Sequence, residues 1–302
     1  MSVTASSVPW RHLARLVPAD AVSAETLLRA VNNTFAGQVP SLPPIDPAAW
    51  PAFVRDRGLD LPLSALLVRG GEIQTFALLT PRPLRRTRIA LFGTVPGQRG
   101  RGLAAQLLDD VLDRANARRE VSVELEVIAQ NHSAMKACWA RGFKPLSRLY
   151  GFATSGHKRI APTDASSATD ASDQAAVARV SWHEATEWLK DLDTLDPSEL
   201  PWPVSAPALP ARRSVQAWQC DRAQLVFETV AGIKVTVRSL VDRDPDQRGA
   251  AQLLATLREH YPDATFKTLP VFRQDGAARA FEANGWRRQT HYQWWLRWAM
   301  CG

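Results

Sequence analysis

A glycine-rich turn in the first half of the chain has the residue types and spacing of an anion-binding site. The turn spans residues 98–104, alternates arginine with glycine (RGRG from Arg99), and precedes a segment whose leucines recur at helical spacing. Glycine lets the backbone bend tightly and approach a ligand closely. The N–H groups in the first turn of a helix lack partners inside the helix and lie at the positive end of its dipole. The pattern predicts a phosphate or pyrophosphate site where a strand ends and a helix begins.

Two other phosphate-binding motifs resemble this turn in part. A P-loop requires lysine and then serine or threonine after its last glycine, and the Leu-Ala pair at positions 103–104 excludes it. The dinucleotide fingerprint fits Gly100, Gly102 and Ala105, with Glu124 roughly 20 residues further on as the ribose partner. That interpretation stays open, although the preceding strand ends several residues before the first glycine and the unit follows antiparallel hairpins.

The third interpretation rests on two motifs at a suitable separation. The turn motif RGRGLA, beginning at Arg99, is followed one strand later by NHSA, beginning at Asn131, and then by GF at Gly142. Together they resemble the motifs of the GCN5-related N-acetyltransferase (GNAT) superfamily, and the resemblance covers residues 10–152. In that family the turn holds the pyrophosphate of acetyl-coenzyme A (acetyl-CoA), which is therefore the co-substrate that the resemblance implies. The cofactor-binding residues that it implies are Gly93, Thr94, Val95, Arg99, Gly100, Arg101, Gly102, Leu103, Ala104 and Asn131.

The same resemblance implies which side chains carry out acetyl transfer. Glu126 lies five residues before the motif asparagine, like the glutamate that acts as the base in ribosomal-protein alanine acetyltransferases. Glu124 lies on the same face of the strand and is the reserve base. In the family, a tyrosine that acts as the general acid is often found at the position that is Cys138 here. Cys138 is therefore the candidate acid, and Tyr150 is a possible substitute. The alternatives are that Glu126 pairs with a nearby arginine and that Cys138 is a small core residue.

The elements that must position these residues follow from apolar periodicity. Apolar runs at 63–68 and 73–79, joined by two glycines, predict a hairpin, and a third strand at 88–94 leads into the turn. A strand is predicted at 10–17, helices at 19–31, 48–57 and 133–140, and further strands at 121–128 and 144–154, the last of which should close the sheet. The resemblance implies that the third and fourth strands splay apart near Gly93, which leaves backbone groups for the pantetheine amides.

The acceptor side of the site falls between the first two predicted helices. The connecting segment is rich in proline, glycine and asparagine and reads as a loop. The resemblance implies that this loop forms much of the acceptor pocket, so Phe35 is the substrate-binding candidate. The alternative is that the ring of Phe35 fills the core.

Composition bounds the class of protein. The 302 residues are 45% apolar and 22% charged, as expected for two globular domains, and no apolar run reaches membrane-spanning length. The first residues lack a secretory signal, which predicts a cytoplasmic protein without a membrane partner. The three cysteines are too scattered for a disulfide framework, and no Cys/His spacing indicates a metal site.

Positive charge is concentrated in the first half of the chain. Residues 1–159 contain 21 Lys and Arg against 12 Asp and Glu, so an anionic ligand is expected there. Arg82, Arg85, Arg86 and Arg88 form the densest basic run, which suits coenzyme A phosphates or an acidic substrate. Nucleic acid is an unlikely partner on this interpretation, and the structural alternative is a solvated rim of a hairpin.

The second half repeats the first in outline. Residues 155–176 are rich in Ser, Ala, Thr and Asp and predict a linker between domains 1–154 and 177–302. Beyond it, DQRGAAQLL from Asp246 echoes RGRGLAAQLL from Arg99, and AFEANGW from Ala280 echoes ACWARGF from Ala137. The predicted fold is therefore α/β, with two tandem GNAT domains that each contain a mixed, mostly antiparallel sheet flanked by helices.

The repeat differs at the chemical positions. Glu126, Asn131 and Cys138 align with Leu269, Gln274 and Phe281 in the second half, and the turn has acidic Asp246 in place of Arg99. The sequence thus predicts a catalytic first domain and a degenerate second one. The expected activity is acetyl transfer to a primary amine of a small molecule or peptide, by direct attack in a ternary complex. The rival hypothesis is a non-catalytic acyl-CoA-binding or partner-binding protein that uses the fold as a scaffold.

Overall fold

The computed structural model describes residues 14–36, 44–155, 176–195, 200–209 and 214–300. These residues form two compact units whose members are not contiguous in sequence. The first contains the described residues up to Leu125, Lys136–Phe143 and those from Arg297 onward, and the second contains Glu126–Met135 and the described residues from Lys144 to Leu296. This division differs from the expected domains 1–154 and 177–302, and most of the expected linker lies outside the described residues.

The first unit is built on antiparallel strands that lead to a parallel pair. Its strands are β1 (Arg15–Pro18), β2 (Asp60–Arg69), β3 (Glu72–Arg82), β4 (Arg86–Thr94) and the start of β5 (Ser122–Ile128). Its helices are α1 (Ala24–Phe35), α2 (Trp50–Asp56), α3 (Leu103–Ala117) and the second half of α4 (His132–Trp139). Neighbouring strands from β1 to β4 are antiparallel, and β5 is parallel to β4, as the sequence predicts. This order leads the chain from β4 directly into the glycine turn and α3.

Capping and turn conformation explain why some helices and strands begin or end at residues other than those predicted from the sequence. The helix predicted at 19–31 is a 3-10 turn at Ala19–Ala21 followed by α1, because Ser23 caps α1 and accepts a hydrogen bond from the N–H of Thr26. The β3–β4 turn has three residues, 83–85, and two of them, Leu84 and Arg85, have positive φ, which lets the hairpin reverse tightly. No helix in the described part of the chain is both long and apolar enough to cross a bilayer.

The interior of the first unit contains a buried ion cluster centred on Glu124. The Glu124 side chain is 1% exposed, and its Oε2 accepts a hydrogen bond from Arg82 at 2.9 Å. Its Oε1 accepts one from Arg297 at 3.0 Å and lies 3.7 Å from Arg86. Arg88 is buried as well. Three of the four arginines in the basic run are therefore buried, and the solvated-rim interpretation holds only for Arg85.

The second unit repeats the architecture of the first. Its strands are β6 (Lys144–Ser155), β7 (Ala178–Val180), β8 (Val215–Cys220), β9 (Ala223–Val230), β10 (Lys234–Asp242), β11 (Thr265–Thr268), β12 (Phe272–Arg273) and most of β13 (Arg287–Ala299). Its helices are α5 (Trp182–Leu195), α6 (Arg248–His260) and α7 (Ala277–Ala283). From β7 to β10 the strands are antiparallel, and β11 is parallel to β10. A strand, turn and helix (β10 to α6) therefore recur at the same place as β4 to α3.

The internal repeat is visible in individual hydrogen bonds. Gly142 and Gly285 both have positive φ directly after a helix. The N–H of Phe143 donates to the carbonyl of Cys138 at 3.2 Å, and the N–H of Trp286 donates to that of Phe281 at 3.0 Å. Both ends thus have the six-to-one hydrogen bond of a Schellman motif.

Strand β6 forms as predicted but packs in the second unit. It is antiparallel to β11 and β12, and Tyr150 and Phe152 join the second hydrophobic core. The end of the chain lies in the first unit, where the N–H of Met300 donates to the carbonyl of Val121. Long-range strand pairing therefore places these two segments, and sequence order does not show it.

The Glu124 cluster leads to a stability prediction. We expect Glu124→Gln to lower the free energy of unfolding by about 3 to 5 kcal/mol, because it leaves buried guanidinium groups without their carboxylate. The matched control is Glu72→Gln. Glu72 forms an exposed ion pair with Arg29 at 3.7 Å, and losing this pair should lower the free energy of unfolding by under about 1 kcal/mol. Urea denaturation of the two variants checks this. Equal losses of stability would contradict the structural role of Glu124.

Candidate active site

The turn between β4 and α3 consists of left-handed glycines open to solvent. Gly97, Gly100 and Gly102 have φ of 83°, 75° and 77°, a conformation that other residues adopt only with strain. A Cβ built on Gly100 would meet no atom within 4 Å. The backbone of the turn is therefore both accessible and held in a shape that glycine favours.

The N-terminus of α3 lacks a side-chain cap within the described residues. Its N-cap residue, Gly102, has no side chain, and the first hydrogen bond within the helix runs from the N–H of Gln106 to the carbonyl of Gly102 at 3.0 Å. The side chain of Leu103 points into the core, so this residue and Ala104 would contribute only their backbone N–H groups.

The two arginines of the turn have different environments. Arg99 donates to the carbonyl of Thr94 at 3.3 Å and to the carbonyl of Thr34 at 3.2 Å, which joins the turn to the end of α1. Arg101 is exposed, as Arg99 is, but it has no hydrogen-bond or ion-pair partner among the described residues. The structure thus favours a shaping role for the Arg99 guanidinium and leaves Arg101 as a positive charge without an internal partner.

One edge of β4 lies outside the parallel ladder beside the turn. The β4–β5 pairing spans only Arg86–Arg88 of β4, whereas β4 continues to Thr94. Gly93 is required by packing, since a Cβ there would lie 2.5 Å from the Thr34 methyl group. The N–H of Val95 already donates to the carbonyl of Gln74 at 3.0 Å. Pairing with pantetheine amides would therefore use other backbone groups of this edge.

Asn131 has a local structural role. Its Oδ1 accepts hydrogen bonds from the N–H of Ala134 and from the hydroxyl of Ser133. Asn131 thereby caps the N-terminus of α4. Its Nδ2 has no hydrogen-bond partner within the described residues. The side chain is exposed, so a ligand contact through Nδ2 stays a prediction.

The two candidate bases differ in accessibility. Glu124 has both carboxylate oxygens ion-paired in the interior, which disfavours its reserve role as a base. Glu126, two residues further along β5, is half-buried and retains exposed surface. The sequence placed both carboxylates on one strand face, and burial now distinguishes them.

The remaining catalytic and substrate candidates lie in hydrophobic surroundings. Cys138 has no exposed surface, and burial raises the pKa of its thiol to about 11. Tyr150 is 8% exposed and stacks on Tyr292 in the second unit. Phe35 packs edge to face against Phe76 in the first core, and residues 37–43 of the predicted acceptor loop lie outside the described residues. These environments favour the core interpretation for Cys138 and Phe35, and Tyr150 is a core residue as well.

The second unit fills its equivalent helix N-terminus with its own carboxylate. Asp242, the last residue of β10, accepts hydrogen bonds from the N–H of Ala250 in α6 and from the N–H of Asp244, both at 2.8 Å. The left-handed residue before α6 is Gln247, whereas Gly249 lies inside the helix, where a Cβ would clash with Ala223 and Cys220. Sequence reasoning attributed the weak site to Asp246 and missed Asp242, which directly follows an apolar strand.

Comparisons with known proteins agree with this geometry. Residues 27–143 match the profile of the Acetyltransferase (GNAT) family. Among solved structures, a GCN5-related N-acetyltransferase from Sphaerobacter thermophilus aligns over 95% of both chains with 17% identity and a TM-score of 0.57. A putative acetyltransferase from Pyrococcus horikoshii aligns over 95% of this chain and 89% of its own, with 14% identity and a TM-score of 0.59.

A third solved structure resembles the chain over its whole length. It is a tandem GNAT protein from the clavulanic acid biosynthesis pathway, aligned over 95% of this chain and 98% of its own, with 14% identity and a TM-score of 0.58. At such identities the likeness shows the fold, which is that of two GNAT-like halves. Curated protein sequences give no match.

The buried thiol yields a prediction about reactivity. We expect iodoacetamide at pH 8 to leave Cys138 unmodified in the native protein, because the thiol is inaccessible and its raised pKa keeps it protonated. The same reagent should modify it in urea, and mass spectrometry of tryptic peptides measures both. Rapid native labelling of Cys138 would contradict its place in the core.

Proposed function

Because residues 27–143 carry a domain of the acetyltransferase (GNAT) family, we propose that the protein transfers an acetyl group from acetyl-CoA to a primary amine. The observation that carries the proposal is the uncapped N-terminus of α3 behind a turn of left-handed glycines. The acceptor is a small molecule or a peptide, and the reaction takes place in the cytoplasm.

The turn fits the diphosphate of coenzyme A on two grounds. The N–H groups at the start of α3 are free of side-chain caps within the described residues, and a phosphate there would lie at the positive end of the helix dipole. The space beside Gly100 admits a ligand close to the backbone, and exposed Arg101 adds positive charge. When bound, acetyl-CoA supplies the acetyl group as an activated thioester.

Glu126 is proposed as the base in this reaction. An amine attacks only in its neutral form, so a carboxylate must take its proton directly or through a water molecule. Glu126 combines the sequence position of the base with partial exposure, whereas Glu124 is held in ion pairs. Holding the amine against the thioester contributes the larger share of the rate. Burial disfavours Cys138 and Tyr150 as the acid, and we assign that role to no side chain.

The second half is proposed as a non-catalytic partner of the first. Asp242 occupies the helix terminus that would otherwise receive a phosphate, and the position equivalent to Glu126 is Leu269. A carboxylate at that place would repel a pyrophosphate. The absence of an accessible acid at Cys138 favours the second candidate function, an acyl-CoA-binding protein without catalysis.

Binding of acetyl-CoA to the glycine turn can be tested with two variants of equal shape. Asn and Asp both tolerate the left-handed conformation of Gly100, and they differ in charge. We expect calorimetry to show one site per chain, with Gly100→Asp weakening the affinity by about tenfold relative to Gly100→Asn, because a carboxylate would face the phosphates. Equal affinities of the two variants would contradict the proposed cofactor site. Two sites per chain would contradict the assignment of a non-catalytic role to the second half.

Catalysis is tested separately from binding. In a screen of primary amines that measures release of the coenzyme A thiol, we expect Glu126→Gln to lower kcat by about 10²-fold or more while acetyl-CoA binding is retained. Glu72→Gln, on the exposed rim, serves as the control. Unchanged activity of Glu126→Gln would remove this residue from the mechanism. Binding without turnover of any amine by the unaltered protein would favour the acyl-CoA-binding function.

A further inference from the structure

The second unit contains a cavity of about 300 Å³ beside the N-terminus of α6. Its floor is apolar and includes Leu200, Val204, Leu240 and Phe272, all of which are buried. The polar part of its lining comes from the end of β10, from the β10–α6 loop, and from residues 273–279 around the start of α7. The volume lies at the lower end of the range for small-molecule pockets, so a ligand the size of a substituted amino acid fits.

Gln247 lines this cavity, and its side-chain oxygen is a buried hydrogen-bond acceptor. Its side-chain Nε2 donates to the carbonyls of Asp242 and Asp244, at 3.2 Å and 2.8 Å, which fixes the orientation of the amide. The residue is 6% exposed, and its Oε1 has no hydrogen-bond partner among the described residues. A buried acceptor without a partner is destabilising, because it has lost its hydrogen bonds to water. Gln247 is also a non-glycine residue at φ 58°, which adds backbone strain at the same place.

The acidic and basic side chains that line the cavity differ in whether they have charged partners. The carboxylates all have partners: Asp242 accepts two main-chain N–H groups, Asp244 pairs with Arg248, and Asp275 pairs with Arg273. Two of the arginines have no carboxylate partner among the described residues. Arg279 donates only to main-chain carbonyls, and Arg243 is exposed without an ion-pair partner in the described part of the chain. The remaining electrostatic preference is therefore for an anion at the rim.

We propose that this cavity binds a small organic carboxylate with an apolar body and an N–H or O–H donor. The carboxylate meets Arg243 and Arg279, the apolar body lies on the leucine and phenylalanine floor, and the donor satisfies Oε1 of Gln247. Coenzyme A is excluded as the occupant, because Asp242 already fills the helix N-terminus. The site lies wholly in the second unit and stands apart from the proposed function.

N-acetyl-L-leucine supplies all three features and is the probe. We expect calorimetry with the full chain to show binding that weakens by about tenfold or more when either the carboxylate or the donor is removed, as in N-acetyl-L-leucinamide and 4-methylpentanoate. Two variants match these changes in the protein. Arg243→Gln removes an exposed charge, and Gln247→Gly removes the acceptor while relieving the left-handed strain.

Both variants should bind the probe at least about tenfold more weakly while keeping the native circular dichroism spectrum. Gly100→Asp, in the first unit, should leave probe binding unchanged, which separates this site from the acetyl-CoA site. No binding of N-acetyl-L-leucine to the unaltered protein would overturn the proposal. Equal binding by the unaltered chain, Arg243→Gln and Gln247→Gly would overturn it as well.

Discussion

The first unit depends on the burial of one carboxylate, that of Glu124. A buried carboxylate is tolerated only when its charge is paired, and here the hairpin of β3 and β4 supplies Arg82 and Arg86. The end of the chain supplies Arg297. The cluster thereby joins β3, β4 and β5 near the last residue at which β4 and β5 pair. Past that point one edge of β4 is outside the parallel ladder, and this edge leads to the glycine turn.

The two halves use the same structural element in opposite ways. Each has a strand, a turn with a left-handed residue, and a helix whose first N–H groups need a partner. In the first half that residue is Gly102, and no side chain caps the helix within the described residues. In the second half it is Gln247, and Asp242 supplies the acceptor internally. A single carboxylate thus converts a potential anion site into a capped helix, and leaves a different kind of cavity beside it.

Local patterns predicted the elements well where tertiary structure did not override them. The strands predicted at 121–128 and 144–154 are β5 and β6, whose observed ends lie within one residue of these bounds. Glycine at 102 marked the start of α3 because its left-handed φ is a local property. Glu124 and Glu126 shared a strand face as alternation requires. The sequence could not predict that they differ in accessibility, because the burial of Glu124 depends on arginines up to 173 residues away along the chain.

The sequence by itself determined the α/β class, the repeat and the anion-binding character of the turn, because these depend on periodicity, glycine and charge within short windows. Only the tertiary structure decided which unit receives β6, that Cys138 and Tyr150 are core residues, and that Asp242 caps α6. Those outcomes depend on strand pairing and on desolvation, which involve residues distant in sequence. Burial cannot be predicted from a short stretch of sequence, and it is burial that distinguishes the accessible candidate side chains from the structural ones.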